Sequence, residues 1–153
     1  MALIPLTQGL FTIVDDDIFE YLNQWKWYAN KMGKKFRVVR NLKPNKVYMH
    51  RVICPCHGDM EVDHINGDTL DNRRANLRAC SHHQNSMNTQ MHSDNASGVK
   101  GVWFHKKARK WQAGITVNAK SIYLGLFRSK LDASLAYDKA ARYFFGEFAR
   151  ITG

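Results

Sequence analysis

The chain has 153 residues and a mass of 17.7 kDa, enough for one ordinary core or two small ones but too little for a large fold with an enclosed active site. Its 23 Lys and Arg against 13 Asp and Glu give a formal net charge of +10, which is self-repelling unless a polyanion such as nucleic acid is the usual partner. Because we find no long uncharged apolar run, lipidation signal or leader, we expect no membrane association and a cytoplasmic location.

The first part of the chain predicts a small mixed structure. Residues 11–14 form a short apolar run, and the acidic residues that follow favour a helix over residues 15–27. Two strands are predicted at residues 35–40 and 46–53, with a turn between them. Several aromatic residues of this part are assigned to the core: Trp25, Trp27, Phe36 and Tyr48.

The stretch that carries chemistry is residues 61–88. It contains the pair Asp63 and His64, Asn76 twelve residues after the histidine, and Asn85 nine residues further on. Phosphodiester hydrolysis needs a base, a cation beside the phosphate and a scaffold that holds both. His64 is the natural base because imidazole, with a reference pKa of about 6.5, is largely neutral near pH 7.

Asp63 and His64 are neighbours on a predicted strand, so their side chains serve one site only if the strand ends or twists there. The turn at residues 66–68 permits this. Ser81 is a candidate cap for a helix beginning at His82, which places the amide oxygen of Asn85 near Asp63. One carboxylate and one amide oxygen form a sparse oxygen site, which suits Mg²⁺, with Mn²⁺ as a substitute, better than zinc.

The three cysteines indicate a reducing compartment, because an odd number argues against a disulfide framework. A zinc site is an alternative use for these thiols and the nearby imidazoles. Its spacing, C-x-C-H followed by C-x-H-H, lacks the usual C-x2-C pairs, so we do not expect structural zinc. The candidate ligands are Cys54, Cys56, His57, Cys80, His82 and His83.

The 61–88 stretch resembles the HNH endonucleases, in the H-N-N form similar to phage and intron-encoded homing endonucleases. The resemblance implies a ββα-metal module in which Asp63 and Asn85 bind the metal, His64 activates water, and Asn76 holds the loop and orients His64. It also implies double-stranded DNA as partner, in a bacterial or phage-infected cell. Candidate phosphate contacts are Arg73, Arg74 and Arg78. Weaker candidates for the site are His50, Arg51, His82 and His83.

Charge is divided unevenly along the chain. Residues 98–153 hold eleven Lys and Arg against three Asp and Glu, whereas residues 1–97 hold twelve against ten. Residues 91–97 are polar, small and without periodicity, which is typical of a linker. We therefore predict an N-terminal domain of residues 1–90, a linker of residues 91–97 and a basic C-terminal domain of residues 98–153.

The C-terminal domain predicts three strands and a helix. The strands are residues 99–105, 110–117 and 121–127, separated by short hairpin loops. The helix, residues 131–144, has Ser129 as a cap and Gly146 as a stop. Its apolar face is predicted from helical spacing as Leu131, Leu135, Ala136 and Ala140.

Segments at residues 97–103, 110–115, 123–127 and 133–141 resemble an AP2 domain, a family that lays a three-stranded antiparallel sheet into the major groove. By resemblance, DNA contacts are expected from Lys100, Trp103, His105, Thr116, Ser121 and Tyr123. Strand alternation adds Gln112. Cations of the hairpin loops are expected to bind phosphate: Lys106, Lys107, Arg109, Lys110 and Lys120.

The sequence therefore predicts an α+β protein with a ββα-metal nuclease module followed by an AP2-like sheet and helix. The leading hypothesis is a site-directed, homing-type DNA endonuclease. The alternatives are a DNA-binding regulator whose HNH segment does not cut, and a general DNase. The sequence leaves open whether the chain is a monomer or a homodimer, and hence whether it nicks one strand or breaks both.

Overall fold

The computed structural model of the chain describes residues 1–88 and 95–151. The chain divides into two compact units, Met1–Asn85 and Ser86–Gly153. Of the predicted linker, residues 91–94 lie outside the described residues. Within the described ranges, no helix is long and apolar enough to cross a membrane.

Unit 1 is built from small antiparallel sheets and short helices. The strand pairs are β1 with β2, β3 with β4 and β5, and β6 with β7. Their bounds, with those of the helices, are β1 (Ala2–Pro5), β2 (Phe11–Val14), α1 (Asp16–Asn23), β3 (Tyr28–Met32), β4 (Lys35–Leu42), β5 (Asn45–Tyr48), α2 (Met49–Ile53), β6 (Met60–His64), β7 (Leu77–Ser81) and α3 (His82–Met87). The last two residues of α3 belong to unit 2.

Two predicted elements of unit 1 differ from the structure. The first helix ends at Asn23, and Trp27 lies beyond it in the core, where its indole Nε1 donates to the backbone oxygen of Leu22 at 2.8 Å. The predicted strand over residues 46–53 is wrong in its second half, because Met49–Ile53 is helical. Strands β1 and β3 were not predicted. One apolar core connects β1, β2, α1, β4, α2, β6 and β7 and includes Trp27: Ile4, Val14, Leu22, Trp27, Val38, Met49, Ile53, Val62 and Leu77.

The N-terminal hairpin lies against the loop that follows β6. The backbone N–H of Ile13 donates to the oxygen of Leu70 at 2.9 Å, and the N–H of Asn72 donates to the oxygen of Ile13 at 2.8 Å. These two bonds place Thr12, next to Ile13 on β2, close to Asn72. The hairpin therefore supports the segment in which the predicted chemistry lies.

Unit 2 contains a three-stranded antiparallel sheet in the order β10-β9-β8. One apolar cluster contains Ala113 and Ile115 of the sheet together with Ala133, Tyr137 and Ala141 of the following helix. The elements are β8 (Val102–His105), β9 (Lys110–Val117), β10 (Lys120–Phe127) and α4 (Lys130–Phe145).

The predicted ends of α4 are confirmed. The Ser129 hydroxyl accepts from the N–H of Asp132 at 3.0 Å, and Gly146 takes a positive φ of 53° at the C-cap. The apolar face predicted for α4 is wrong in part, since Leu131 and Leu135 are 67% and 57% exposed. Ala133, Tyr137 and Ala141 lie toward the sheet instead, and the Tyr137 ring packs so closely on Gly101 that a Cβ there would lie 2.2 Å from it.

Candidate active site

The predicted catalytic pair lies at the end of β6. Asp63 is paired with Arg78 and His64 with Leu77 across the β6–β7 hairpin, and the strand ends at His64. The N–H of Gly67 donates to the oxygen of His64 at 2.8 Å, and Gly67 has a φ of 75°. The chain therefore turns immediately after the histidine, and both side chains line one cavity despite their alternation on the strand.

This cavity, with a volume of about 470 Å³, contains three of the four motif residues. Strand β6 and helix α3 contribute one part of its wall, and the β3–β4 hairpin contributes another. The Nζ of Lys35 in that hairpin donates to the backbone oxygen of Gly67 at 3.1 Å. The lining residues are Met32, Gly33, Lys35, Arg37, Val62, Asp63, His64, Thr69 and Asn85.

A buried hydrogen-bonded chain fixes the ring of His64. The Thr12 hydroxyl donates its only proton to the oxygen of Leu70 at 2.7 Å, so at 2.8 Å it must accept from Nδ2 of Asn72. The Asn72 Oδ1 then faces Nε2 of His64 at 3.2 Å. In the neutral ring the proton therefore resides on Nε2 and the lone pair on Nδ1.

His64 is held in its neutral form. Burial lowers the pKa of His64, the Asn72 bond partly offsets this, and the charge of Arg37 lowers the pKa further. A neutral imidazole is the form that accepts a proton, so the environment suits a general base.

Asn76 lies beside the cavity rather than in its wall. Its Oδ1 accepts from the N–H of Asn66 at 2.9 Å, and its Nδ2 donates to the oxygen of Asp71 at 2.7 Å. These bonds join the two ends of the loop between β6 and β7. The predicted loop-holding role therefore has a geometric basis, whereas the described bond that orients the His64 ring comes from Asn72.

Asn85 is positioned by a helix cap and by a carboxylate. The Ser81 hydroxyl accepts from the N–H of Gln84 at 3.2 Å, and the Gln84 side chain accepts from the N–H of Ser81 at 2.9 Å, which forms a capping box. Within α3, Nδ2 of Asn85 donates to Glu61 at 2.5 Å. Hydrogen bonds from Asn85 and then from His82 lower the pKa of Glu61.

Asp63 and Asn85 are the residues of the cavity whose oxygen atoms could hold a metal ion. The Asp63 carboxylate also accepts from Arg78 through Oδ2, and because Nδ2 of Asn85 is bound to Glu61, Oδ1 of Asn85 is the atom left for a cation. Two oxygen donors fit a hard cation that retains water. Among residues 1–88 and 95–151, no three His, Cys, Asp or Glu side chains form a metal-binding group. Burial raises the pKa of Cys80 to about 11, which disfavours the thiolate that zinc needs.

The three arginines expected to contact phosphate each bind a carboxylate of this chain. Arg73 donates to Asp71 from Nε at 2.7 Å and from Nη2 at 2.6 Å. Nη1 of Arg74 contacts both oxygens of Asp17 at 2.8 Å. Arg78 donates to Oδ2 of Asp63 from Nε at 3.0 Å and from Nη2 at 2.7 Å, and Asp63 is buried while Arg78 is partly buried.

In unit 2, most predicted DNA-contacting residues share one face of the sheet. Ala113 and Ile115 of β9 are buried in the cluster with α4, so Gln112 and Thr116 point to the opposite face. By register, this face also contains Trp103 opposite Gln112, Ser121 opposite Thr116, and Tyr123 opposite Gly114. The predicted loop cations Lys106, Lys107, Arg109, Lys110 and Lys120 lie in or beside the hairpin turns.

Two predicted contacts in unit 2 have internal partners. Lys100 is half-buried, and its Nζ donates to the backbone oxygen of Met87 in the same unit at 3.3 Å. Burial, and then the charge of Arg150, lower the pKa of Lys100. Nδ1 of His105 accepts from the N–H of Ala108 at 3.1 Å, so this ring stabilises the hairpin loop.

Comparison with known proteins identifies the family. The model of the HNH endonuclease family matches residues 47–87. An uncharacterized HNH endonuclease of Acanthamoeba polyphaga mimivirus is 32% identical over 155 residues, covering 97% of this chain and 78% of the relative. Protein 3.8 of Escherichia phage T7 is 32% identical over 91 residues, covering 58% and 73% respectively. The chain belongs to the HNH endonuclease family.

One further relative comes from a different class. An ethylene-responsive transcription factor-like protein of Arabidopsis thaliana is 30% identical over 81 residues, which cover 53% of this chain and 34% of the plant protein. No solved structure matches the chain significantly.

His50 lies next to His64, and its lowered pKa can be tested through the pH dependence of stability. It is buried, with its ring centroid 5.4 Å from that of His64. Burial, assisted by the charges of His64, Arg37 and Arg51, lowers the pKa of His50 to about 3. The unfolded chain, with a histidine pKa of about 6.5, therefore binds more protons than the fold between about pH 6.5 and 3, so stability falls as pH falls through that window.

We expect His50→Gln to weaken this pH dependence. For wild type, lowering the pH from 7 to 5 reduces the free energy of unfolding by about 2 kcal/mol through His50 alone. The glutamine variant lacks this contribution. Urea unfolding at both pH values measures it, with His57→Gln, an exposed histidine of the same unit, as control. An equal loss in wild type and His50→Gln would contradict the assignment.

Proposed function

We propose that this protein is a metal-dependent DNA endonuclease that hydrolyses phosphodiester bonds with His64 as general base. The observation that carries the proposal is a buried imidazole, held by Asn72 through Nε2, in the same cavity as Asp63 and Asn85. Family membership supports the class of reaction.

In the proposed reaction, a water oxygen attacks phosphorus while Nδ1 of His64 takes its proton. The bond between phosphorus and the 3′ oxygen breaks, and the oxygen leaves with the electron pair and is protonated by solvent. Asp63 and Asn85 would hold Mg²⁺, or Mn²⁺ in its place, and that cation would stabilise the negative charge that develops on the leaving oxygen. Asn76 keeps the intervening loop closed, so that the base and these oxygen atoms retain their spacing.

His64→Ala should reduce plasmid cutting by about 10²- to 10⁴-fold, the usual contribution of a positioned base. Supercoiled plasmid is incubated with protein and Mg²⁺, and in parallel with chelator, which should abolish cutting by wild type. His57→Ala is the matched control because His57 is exposed and distant from the cavity lining. Equal cutting by His64→Ala and wild type would remove His64 as base.

Thr12 is a positioning residue in this proposal, since it acts on His64 only through Asn72. Thr12→Val removes the acceptor for Nδ2, so the amide of Asn72 is no longer held with Oδ1 toward the imidazole. The other tautomer then becomes populated, and cutting should fall by roughly 10- to 100-fold. The measurement is the pH profile of the cutting rate, because a changed tautomer moves the apparent pKa of the base.

Thr12→Ser keeps the hydroxyl and is the control, with an expected profile close to that of wild type. The Val variant is compared only after its thermal unfolding shows a folded protein. A Val profile that superimposes on that of Ser would disprove the role of Thr12.

We further propose that unit 2 is an AP2-like module that directs cutting to particular sites, as in homing endonucleases. The exposed sheet face supports this proposal, since it combines Trp103 and Tyr123 with polar side chains and is bordered by cations of the turns. The plant relative's name, a transcription factor-like protein, agrees with a DNA-binding role. Discrete products from a plasmid that carries the native genomic neighbourhood would support site direction, whereas random products indicate a general DNase.

Tyr123→Ala should weaken binding to duplex DNA by about tenfold, a typical cost for losing a groove contact. The matched control is Tyr143→Ala, since Tyr143 lies on α4 and is 83% exposed, against 61% for Tyr123. Fluorescence anisotropy in the presence of chelator measures binding without cutting. If both variants bind as wild type does, the sheet face is not the DNA-binding surface.

A further inference from the structure

The cavity contains an arginine that lies outside the HNH motif. Arg37 is on β4, and it is half-buried in the wall that also contains Asp63, His64 and Asn85. It also lines an adjoining cavity of about 200 Å³ with Met32, Tyr48, His50 and Arg51. Arg37 therefore lies where the two cavities meet.

The pairing of Arg37 differs from that of the motif arginines. Arg73, Arg74 and Arg78 are each bound to a carboxylate at 2.8 Å or less. Among the described residues, the guanidinium of Arg37 forms no hydrogen bond and no ion pair. Its surroundings in the cavities include the imidazoles of His50 and His64.

A half-buried cation without a bound anion is electrostatically costly, and a polyanion that enters the cavity removes that cost. Guanidinium also presents a planar set of donors that matches two oxygens of a phosphate. The geometry points to Arg37 as the side chain that binds the DNA phosphate beside His64. This inference rests on the proposed nuclease function. It assigns the phosphate contact to a residue of β4, which lies outside the matched residues 47–87, rather than to the motif arginines.

The test measures an ion contact directly rather than through turnover. Each phosphate neutralised by the protein contributes about 0.9 to the slope of log affinity against log salt. With a duplex DNA probe in the presence of chelator, Arg37→Met should lower the magnitude of this slope by about 0.9. Arg37→Lys keeps the charge and should retain the wild-type slope.

Two controls separate Arg37 from other cations. Lys26→Met removes an exposed charge of unit 1 outside the cavity, and Arg74→Gln removes a motif arginine whose ion pair is exposed. Both should leave the slope unchanged. Thermal unfolding of each variant shows that the comparison is made between folded proteins.

An unchanged slope in Arg37→Met, or an equal reduction in Arg37→Lys, overturns the inference. If Arg74→Gln lowers the magnitude of the slope and Arg37→Met does not, the phosphate contact is made by the motif arginine and not by Arg37. If wild type leaves DNA uncut with Mg²⁺ and Mn²⁺, the nuclease function fails, but the slopes still decide the phosphate contact. If wild type cuts, Arg37→Met should also cut at least about tenfold more slowly, as loss of a phosphate-binding cation predicts.

Discussion

The buried chain of hydrogen bonds from Leu70 through Thr12 and Asn72 to His64 is the constraint on which the site depends. Each side-chain donor in it has one acceptor, and removal of a link would leave a buried polar group unsatisfied at a cost of about 1–3 kcal/mol. Because Thr12 belongs to the N-terminal hairpin, the hairpin and the motif form one functional structure. The family match at residues 47–87 therefore covers the reacting groups but only part of what orients them.

The electrostatics of unit 1 follow a consistent arrangement. The motif arginines neutralise carboxylates that hold the loop and the hairpin, as Arg73 does for Asp71 and Arg78 for Asp63. Burial keeps His50 and His64 neutral, which avoids a repulsion between two charged rings 5.4 Å apart. Against this internally balanced background, a half-buried cation of the cavity wall such as Arg37 has a large effect on an entering phosphate, because partly buried charges are weakly screened.

Local signals predicted the parts of the structure that are local in sequence. The spacing of Asp63, His64 and Asn85 predicted that they share a site, and the cap at Ser81 explains how Asn85 reaches it. The roles of Thr12 and Arg37 depend on contacts made far along the chain, and no local pattern distinguishes them from ordinary strand residues. The segment Met49–Ile53 resembles a strand, but burial of Met49, His50 and Ile53 on one side accompanies a helix there. On α4, the buried face consists of Ala133, Tyr137 and Ala141 rather than the leucines that spacing favours.

The positive charges of the two units suit different roles, DNA binding in unit 2 and a phosphate contact beside the base in unit 1. The cations of unit 2 predicted to bind phosphate lie in or beside exposed turns, where salt screens them strongly, while its sheet face carries mainly uncharged side chains. The affinity that these cations provide depends on salt and not on the DNA sequence. Any sequence selectivity must come from Gln112, Thr116 and their neighbours on the exposed sheet face. The proposed phosphate contact of Arg37 is half-buried and lies beside the base. Under the proposed function, salt therefore changes how often DNA is bound more than how fast bound DNA is cut.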